Sequence, residues 1–423
     1  MLRFTNNVIA QVTLNCNKRC KYCYEHTHNG EVLPSKASMT FEKFKTIFDK
    51  CVYERCILGS KENSLMWHFH GGEVFLIPWP ELKKMIAYIE NRKQFFPNVD
   101  WMMQTNGTLV TEEIASFLKM KGKTLGFSFD GFGDTPRGSA QENEEFMEHI
   151  RKIHEATGVD CGYLLVLTKD NMKTWIKDFK KVNSFVKDLG INQLSGYDES
   201  LHVTPEETWK YWYKPVLKSY LTTERIPERN VNILVIKAVS HILLNYKQFP
   251  VTGCFNRLCA HGSNMISINS EGDIFPCDKY LESGDHIQNR FKMSLYEKDF
   301  LAFKNIRYLY NFYNAMAQEE NRVGCNTCRA RHICDIDCQS ANLSQFGRVI
   351  ISDNFCDINK RVYDFIEKNL EKILTLHKVP LDSDMYKYVN GLSSQGLKFA
   401  EELAKKGKKL IVDNKNIYIE EIV

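Results

Sequence analysis

Six short apolar runs, each followed by a stretch of helical period, fill the first 200 residues, and no other feature restricts the fold as much as this alternation. Residues 8–14, 65–70, 99–104, 124–129, 160–167 and 191–194 read as strands. Between them, Phe41, Phe44, Phe48 and Cys51 form one helical stripe, and Leu82, Met85, Ile86 and Ile89 form another. Ile114, Phe117 and Leu118 follow Thr111, an N-cap candidate, and Trp175, Phe179, Val182 and Val186 continue the pattern. Repeated strand–helix units with right-handed crossovers leave two architectures, a doubly wound sheet and an incomplete barrel. The chemistry-bearing motifs follow strands one to four, at the strand ends where α/β barrels build their sites, and this favours the barrel.

The first motif is Asn15-Cys16-Asn17-Lys18-Arg19-Cys20-Lys21-Tyr22-Cys23. Three thiolates can hold three irons of a 4Fe–4S cluster and leave the fourth iron open. Three close cysteines also suit a zinc site, or an iron–sulfur site, completed by a remote ligand. Fourteen cysteines in a chain with no secretory signal and no apolar run of membrane-spanning length read as metal ligands in a reducing cytoplasm rather than as disulfides. With 423 residues, 43% hydrophobic, the chain can bury a large core and is long enough for two or three domains. Its net charge of +4 is diffuse, which excludes a nucleic-acid stripe, and the run Lys405-Lys406-Gly407-Lys408-Lys409 reads as a solvated helix end and turn.

Strand two ends in His68-Phe69-His70-Gly71-Gly72-Glu73, strand three in Gln104-Thr105-Asn106-Gly107, and strand four in Ser128-Phe129-Asp130-Gly131, with Arg137 beyond it. A double glycine lets a backbone approach closely, and Glu73 can receive an ammonium. Taken together, C-x3-C-x2-C with aromatic Tyr22 and these later motifs resemble the radical S-adenosylmethionine (SAM) enzymes, although Val74 stands where a proline usually follows Gly-Gly-Glu. The resemblance implies a partial (β/α)6 TIM-like barrel. It implies a cluster on Cys16, Cys20 and Cys23, and SAM contacts from Tyr22, Gly71, Gly72, Glu73, Gln104, Thr105, Asn106, Ser128, Asp130 and Arg137. An arginine fork at Arg137 suits a carboxylate. His70 is either a substrate contact or a satisfied structural group.

From about residue 251 the character changes to short polar segments rich in cysteine: Cys254, Cys259, Cys277, Cys325, Cys328, Cys334, Cys338 and Cys356. The array resembles the SPASM extension of peptide- and protein-modifying radical SAM enzymes, which carries two auxiliary 4Fe–4S clusters. Carried over by position, Cys254, Cys259, Cys277 and Cys338 hold the first, and Cys325, Cys328, Cys334 and Cys356 hold the second. A zinc-ribbon pair is the alternative for residues 325–338 taken alone. Cys51, Cys56 and Cys161 are expected in the core. The expected domains are 1–240 for the barrel, 241–370 for the SPASM domain, and 371–423 for a helix and a hairpin around Asp413-Asn414-Lys415-Asn416.

Three clusters with SAM imply a radical oxidation. The expected substrate is a ribosomally made precursor peptide crosslinked through a thioether or carbon–carbon bond, with electrons from a flavodoxin or ferredoxin and no nucleic-acid or membrane partner. Asp278, directly after Cys277, either resembles the base of the anaerobic sulfatase-maturating enzymes, which gives formylglycine formation on a sulfatase as the alternative, or is an N-cap or backbone-bonded carboxylate beside the cluster. A zinc-dependent binding module is the remote third reading. An exposed barrel edge or the C-terminal hairpin is left to capture a peptide strand.

Overall fold

The computed structural model describes residues 7–23, 27–28, 31–32, 38–61, 63–194, 199–246, 265–275, 277–278, 293–294, 324–325, 327–334, 353–381 and 389–422. Two compact units divide the chain: one gathers Met1–Val203, Ala260–Ala315 and Gln339–Ile350, the other Thr204–Cys259, Met316–Cys338 and Ile351–Val423.

In the first unit β1 (Asn7–Thr13), α1 (Phe41–Val52), β2 (Leu65–Gly71), α2 (Trp79–Lys93), β3 (Val99–Thr105), α3 (Glu112–Met120), β4 (Leu125–Ser128), α4 (Ala140–Thr157), β5 (Cys161–Leu167), α5 (Trp175–Val182) and β6 (Val186–Gln193) alternate as expected. β1 to β6 pair in parallel and in chain order. A doubly wound sheet reverses its strand order at a switch point. Here the order never reverses, so successive crossovers stay on one face and the sheet is a partial barrel.

The sheet also takes strands from much later in the chain. β7 (Met265–Ile268) lies parallel to β1 on its free side, and β8 (Asp273–Phe275) and β9 (Met293–Ser294) follow antiparallel. Gly272, at φ 88°, makes the β7–β8 turn.

Period-two alternation decides what faces the helices. Val8, Ala10, Val12, Trp67, Phe69, Trp101 and Phe127 are buried on one side, and Phe44 and Phe48 of α1 meet Trp67 edge-on at 5.3 and 5.5 Å. The opposite face of β2 and β3 carries His68, His70, Met102 and Gln104, with His68 paired to Met102. Thr111 caps α3 by accepting from Ile114 N, and Cys51, Cys56 and Cys161 are buried. One boundary differs from expectation. Val186 begins β6 instead of extending α5, because Leu189 and Ile191 are buried along an extended run from Val186.

The second unit contains α6 (Arg229–Leu243), α7 (Asp353–Lys368), α8 (Leu370–Leu376), β10 (Val379–Pro380), α9 (Ser394–Lys405), β11 (Lys408–Val412) and β12 (Asn416–Glu421). Its core draws on Leu234, Val235 and Val239 of α6, Val362 and Ile366 of α7, and Ile373 of α8. The expected C-terminal hairpin is β11–β12. Among the described residues no helix is long and apolar enough to cross a membrane.

Candidate active site

The cysteine loop leaves β1 and is fastened to the ends of the next three strands in turn. At β2, Gly72 N donates to Thr13 O and Glu73 N to Asn15 O, both at 2.8 Å. A Cβ on Gly71 would stand 2.0 Å from Thr13 O, and one on Gly72 would stand 2.3 Å from Asn15 O. The close approach that needs both glycines is therefore made by the chain's own cysteine loop.

Glu73 is fully buried. Its Oε1 accepts from Phe75 N (3.0 Å) and the Thr105 hydroxyl (2.6 Å), and its Oε2 accepts from Asn106 N (2.7 Å). Burial raises its pKa, while these donors and the Arg137 charge pull the other way. In this structure the carboxylate joins the ends of β2 and β3.

The segment after β3 reaches the cysteines directly. Asn106 Nδ2 donates to Asn17 Oδ1 at 2.7 Å and lies 3.6 Å from Cys16 Sγ. Asn17 Nδ2 donates to Thr108 Oγ1 at 2.8 Å, and Lys18 N points at Cys16 Sγ from 3.4 Å. Gln104 bridges to Ser128 on β4, its Nε2 donating to Oγ at 3.2 Å.

The segment after β4 closes over the loop. The Tyr22 hydroxyl donates to Asp130 Oδ2 (2.6 Å), Val166 N donates to Asp130 Oδ1 (3.1 Å), and Arg137 Nη2 donates to the Tyr22 oxygen (3.1 Å). Arg137 Nε stands 3.8 Å from Asp130 Oδ2. Lys21 N donates to Pro136 O and Lys18 Nζ to Arg137 O, at 2.9 and 3.3 Å. Burial pushes Asp130 above the usual carboxylate range against the pull of Arg137, and it pushes Tyr22 well up. Burial opposes the Arg137 charge, but Tyr22 and Asp130 more than offset it and raise its pKa. Asn17, Lys18 and Thr108 are parts of this assembly to which the sequence motifs assigned no role.

Cys20 is buried, whereas Cys16 and Cys23 are half-buried. Burial pushes the Cys20 thiol up, and Arg137 is the strongest opposing charge. Among the described residues no three His, Cys, Asp or Glu side chains close around a single-ion position. The surroundings suit a cluster with an anionic ligand: two N–H donors aim at Cys16, a cation sits near Cys20, and Arg137 Nε is buried with no hydrogen-bond acceptor among the described residues.

On the opposite face of β2, His68 Nε2 lies 3.1 Å from Asn7 Oδ1. Burial pushes His68 down to about 4, with His70 adding to the fall and Asp278 opposing it. Asp278 is half-buried beside buried Cys277 and is thus within electrostatic reach of that face.

In the second unit Cys328 N donates to Cys325 O (3.2 Å), and a single 3-10 turn leads to Cys334, whose N donates to Ala330 O (3.0 Å). Arg329 pins this turn to α7 through Asp364 (2.8 Å) and Glu367 (2.9 Å). Asn359 Nδ2 lies 3.8 Å from Cys334 Sγ, and Cys356 stands three residues before Asn359 on α7, hence on the same helical face. Arg329 and Asn359 also carried no sequence signal. Cys254, Cys259 and Cys338 lie outside the described residues.

Comparison with known proteins adds lineage to this geometry. The radical SAM superfamily model matches residues 11–212. A cysteine-type anaerobic sulfatase-maturating enzyme of Clostridium novyi is 26% identical over 393 residues, covering 88% of this chain and 96% of that protein. A radical SAM cyclopropyl synthase, TigE, of Paramaledivibacter caminithermalis is 25% identical over 200 residues, 43% of this chain and 39% of that protein. Among solved structures, anSMEcpe with bound AdoMet has a TM-score of 0.67 at 18% identity, covering 87% of this chain and 94% of that one. Streptococcus suis SuiB bound to precursor peptide SuiA has a TM-score of 0.57 at 16% identity, covering 84% and 76%.

Proposed function

The chain carries a radical SAM domain over residues 11–212, and from that premise we propose that it oxidatively modifies side chains of a peptide or protein substrate. The observation that carries the reading is the cysteine loop held by three successive strand-end segments, at Gly72–Glu73, Asn106–Thr108 and Asp130–Arg137. With a 4Fe–4S cluster on Cys16, Cys20 and Cys23 and SAM in place, the cofactors supply one-electron cleavage of SAM and a 5′-deoxyadenosyl radical that takes a hydrogen atom from carbon.

The residues around that centre bind and orient. Asn106 and the Lys18 amide support the Cys16 sulfur, Arg137 offers an anionic group its Nε, which has no hydrogen-bond acceptor among the described residues, and Glu73 keeps the ends of β2 and β3 together. His68, His70, Met102, Gln104 and Ser128 offer the substrate a mixed polar and apolar wall. Two auxiliary clusters, on Cys254, Cys259, Cys277 and Cys338 and on Cys325, Cys328, Cys334 and Cys356, would accept the electron that an oxidised product must release. The placement of Cys334 against the face of α7 that bears Cys356 supports the second. A flavodoxin or ferredoxin is the proposed electron donor.

For the product we favour a crosslink in a ribosomally made precursor peptide, a reading supported by the likeness to the structure of SuiB with its precursor peptide. A second reading, formylglycine formation on a sulfatase, is supported by the match to the Clostridium novyi protein over 88% of this chain and 96% of that one, and by Asp278, a carboxylate next to Cys277 and within electrostatic reach of His68.

Anaerobic reconstitution followed by mass spectrometry separates the two. A short peptide encoded beside the gene should become lighter by two hydrogens and carry linked side chains. A cysteine-containing sulfatase peptide yielding a hydrazine-trapped aldehyde would replace the first reading with the second. Iron-loaded protein that forms no deoxyadenosine with either peptide would overturn both.

A further inference from the structure

Asn359 is a polar residue in an apolar place. On the inward stripe of α7 it stands three, four and seven residues before Val362, Tyr363 and Ile366, all of them buried, and it is itself 2% exposed. A buried amide costs free energy unless its N–H groups find acceptors. One acceptor that Nδ2 meets, at 3.8 Å, is the Cys334 sulfur. A neutral thiol accepts weakly, whereas a metal-bound thiolate carries charge and draws a donor strongly. An N–H aimed at this sulfur therefore suits Cys334 as a cluster ligand.

The neighbourhood strengthens the contact. Cys334 N donates to Ala330 O at 3.0 Å, and both Ala330 and Ile333 are buried, so the turn that carries the sulfur is largely apolar there. A hydrogen bond is electrostatically stronger in such surroundings than in water. Two cations of the turn and the helix are held in ion pairs, Arg329 with Asp364 and Glu367, and Arg361 with Asp357 and Glu206. Hydrogen bonds to the sulfurs are among the determinants of an iron–sulfur potential. A donor to a ligand sulfur stabilises the reduced cluster, which carries one more negative charge, more than the oxidised one.

We infer that Asn359 is a positioning residue that acts through the Cys334 sulfur to raise the reduction potential of the second auxiliary cluster, making that cluster the readier electron acceptor. This rests on the reading above that Cys325, Cys328, Cys334 and Cys356 hold it. The step concerned is one electron onto the cluster, with no bond made or broken and no proton moved.

The test titrates the full reconstituted chain, without SAM and under argon, with dithionite as the electron source, and follows each cluster by electron paramagnetic resonance. Wild type should hold about twelve irons and show three reduction waves. Asn359→Leu, similar in volume but without a donor, leaves every charge around the turn in place. It should lower one wave by about tenfold in the ratio of reduced to oxidised cluster, about 59 mV for one electron, and leave the other two where they were. Asn359→Gln, which retains an N–H donor, should return that wave toward wild type. If the leucine variant loses iron or helix, Asn359→Ala carries the test, with the same wave moving the same way. Three waves unmoved in the donorless variants, or all three moved together as a loosened fold would do, would overturn the proposal and leave the ligand assignment standing. Fewer than three waves in wild type would overturn the ligand assignment and the proposal with it. The titration needs no turnover, so absent deoxyadenosine would count against the functional reading alone.

Discussion

Tyr22 ties a cysteine loop to a charge pair more than a hundred residues away in sequence, its hydroxyl lying between Asp130 and Arg137. Removing one partner of such a buried pair typically costs about 3–5 kcal/mol, because the other is left as an uncompensated charge. A milder test exists at His68. Its ordinary pKa is 6.5, and burial holds it at about 4 in the folded chain. Between those values the unfolded state binds the extra proton, so this contribution to stability is lost as pH falls from about 6.5 to about 4 and changes no further below. Urea midpoints of wild type and His68→Gln should therefore converge as pH falls through that window; a constant difference would refute the assignment. At this scale the sequence displayed the cysteines and little of what surrounds them. Cys16, Cys20 and Cys23 are legible from spacing, whereas Asn17 meeting Thr108 and Lys18 meeting Arg137 depend on loops from three strands converging in space.

The elements were more legible than the contacts between them. Strands buried on one face, and helices with long apolar stripes, announce themselves through period, and Thr111 marked the start of α3 by its chemistry. Less legible was what the glycines after β2 accommodate, since close approach in sequence terms suggests a ligand and here it is the loop from β1. Gly72→Ala should therefore leave the strands formed but displace Asn15 and the cysteines after it, lowering iron retained on reconstitution severalfold. Gly158→Ala is the comparison. It caps α4 at φ 66° with nothing within 4 Å of an added Cβ, so it should cost about 1–2 kcal/mol of stability while iron content stays unchanged. Equal iron in both variants would disprove the docking role.

At the scale of the whole molecule the sheet does not respect a single linear boundary. β7, four residues from a cysteine-rich stretch, is too short for period to reveal, yet it covers the free side of β1, with the Ser267 hydroxyl donating to Ile9 O at 3.1 Å. A fragment of residues 1–240 lacks it and leaves the edge of β1 open. That fragment should aggregate or bind a hydrophobic dye under conditions where the intact chain does not, as sedimentation and dye fluorescence would report; a monodisperse, dye-silent fragment would contradict this.

The same pairing has a consequence in time. Thr13 and Met265 are joined in one sheet but separated by some 250 residues of synthesis, roughly 10–50 s at about 5–20 residues per second. Throughout that interval the strand that launches the cysteine loop has a neighbour on one side only. Completion of the sheet around the loop thus waits for residues 265–268, long after all three thiols have emerged from the ribosome.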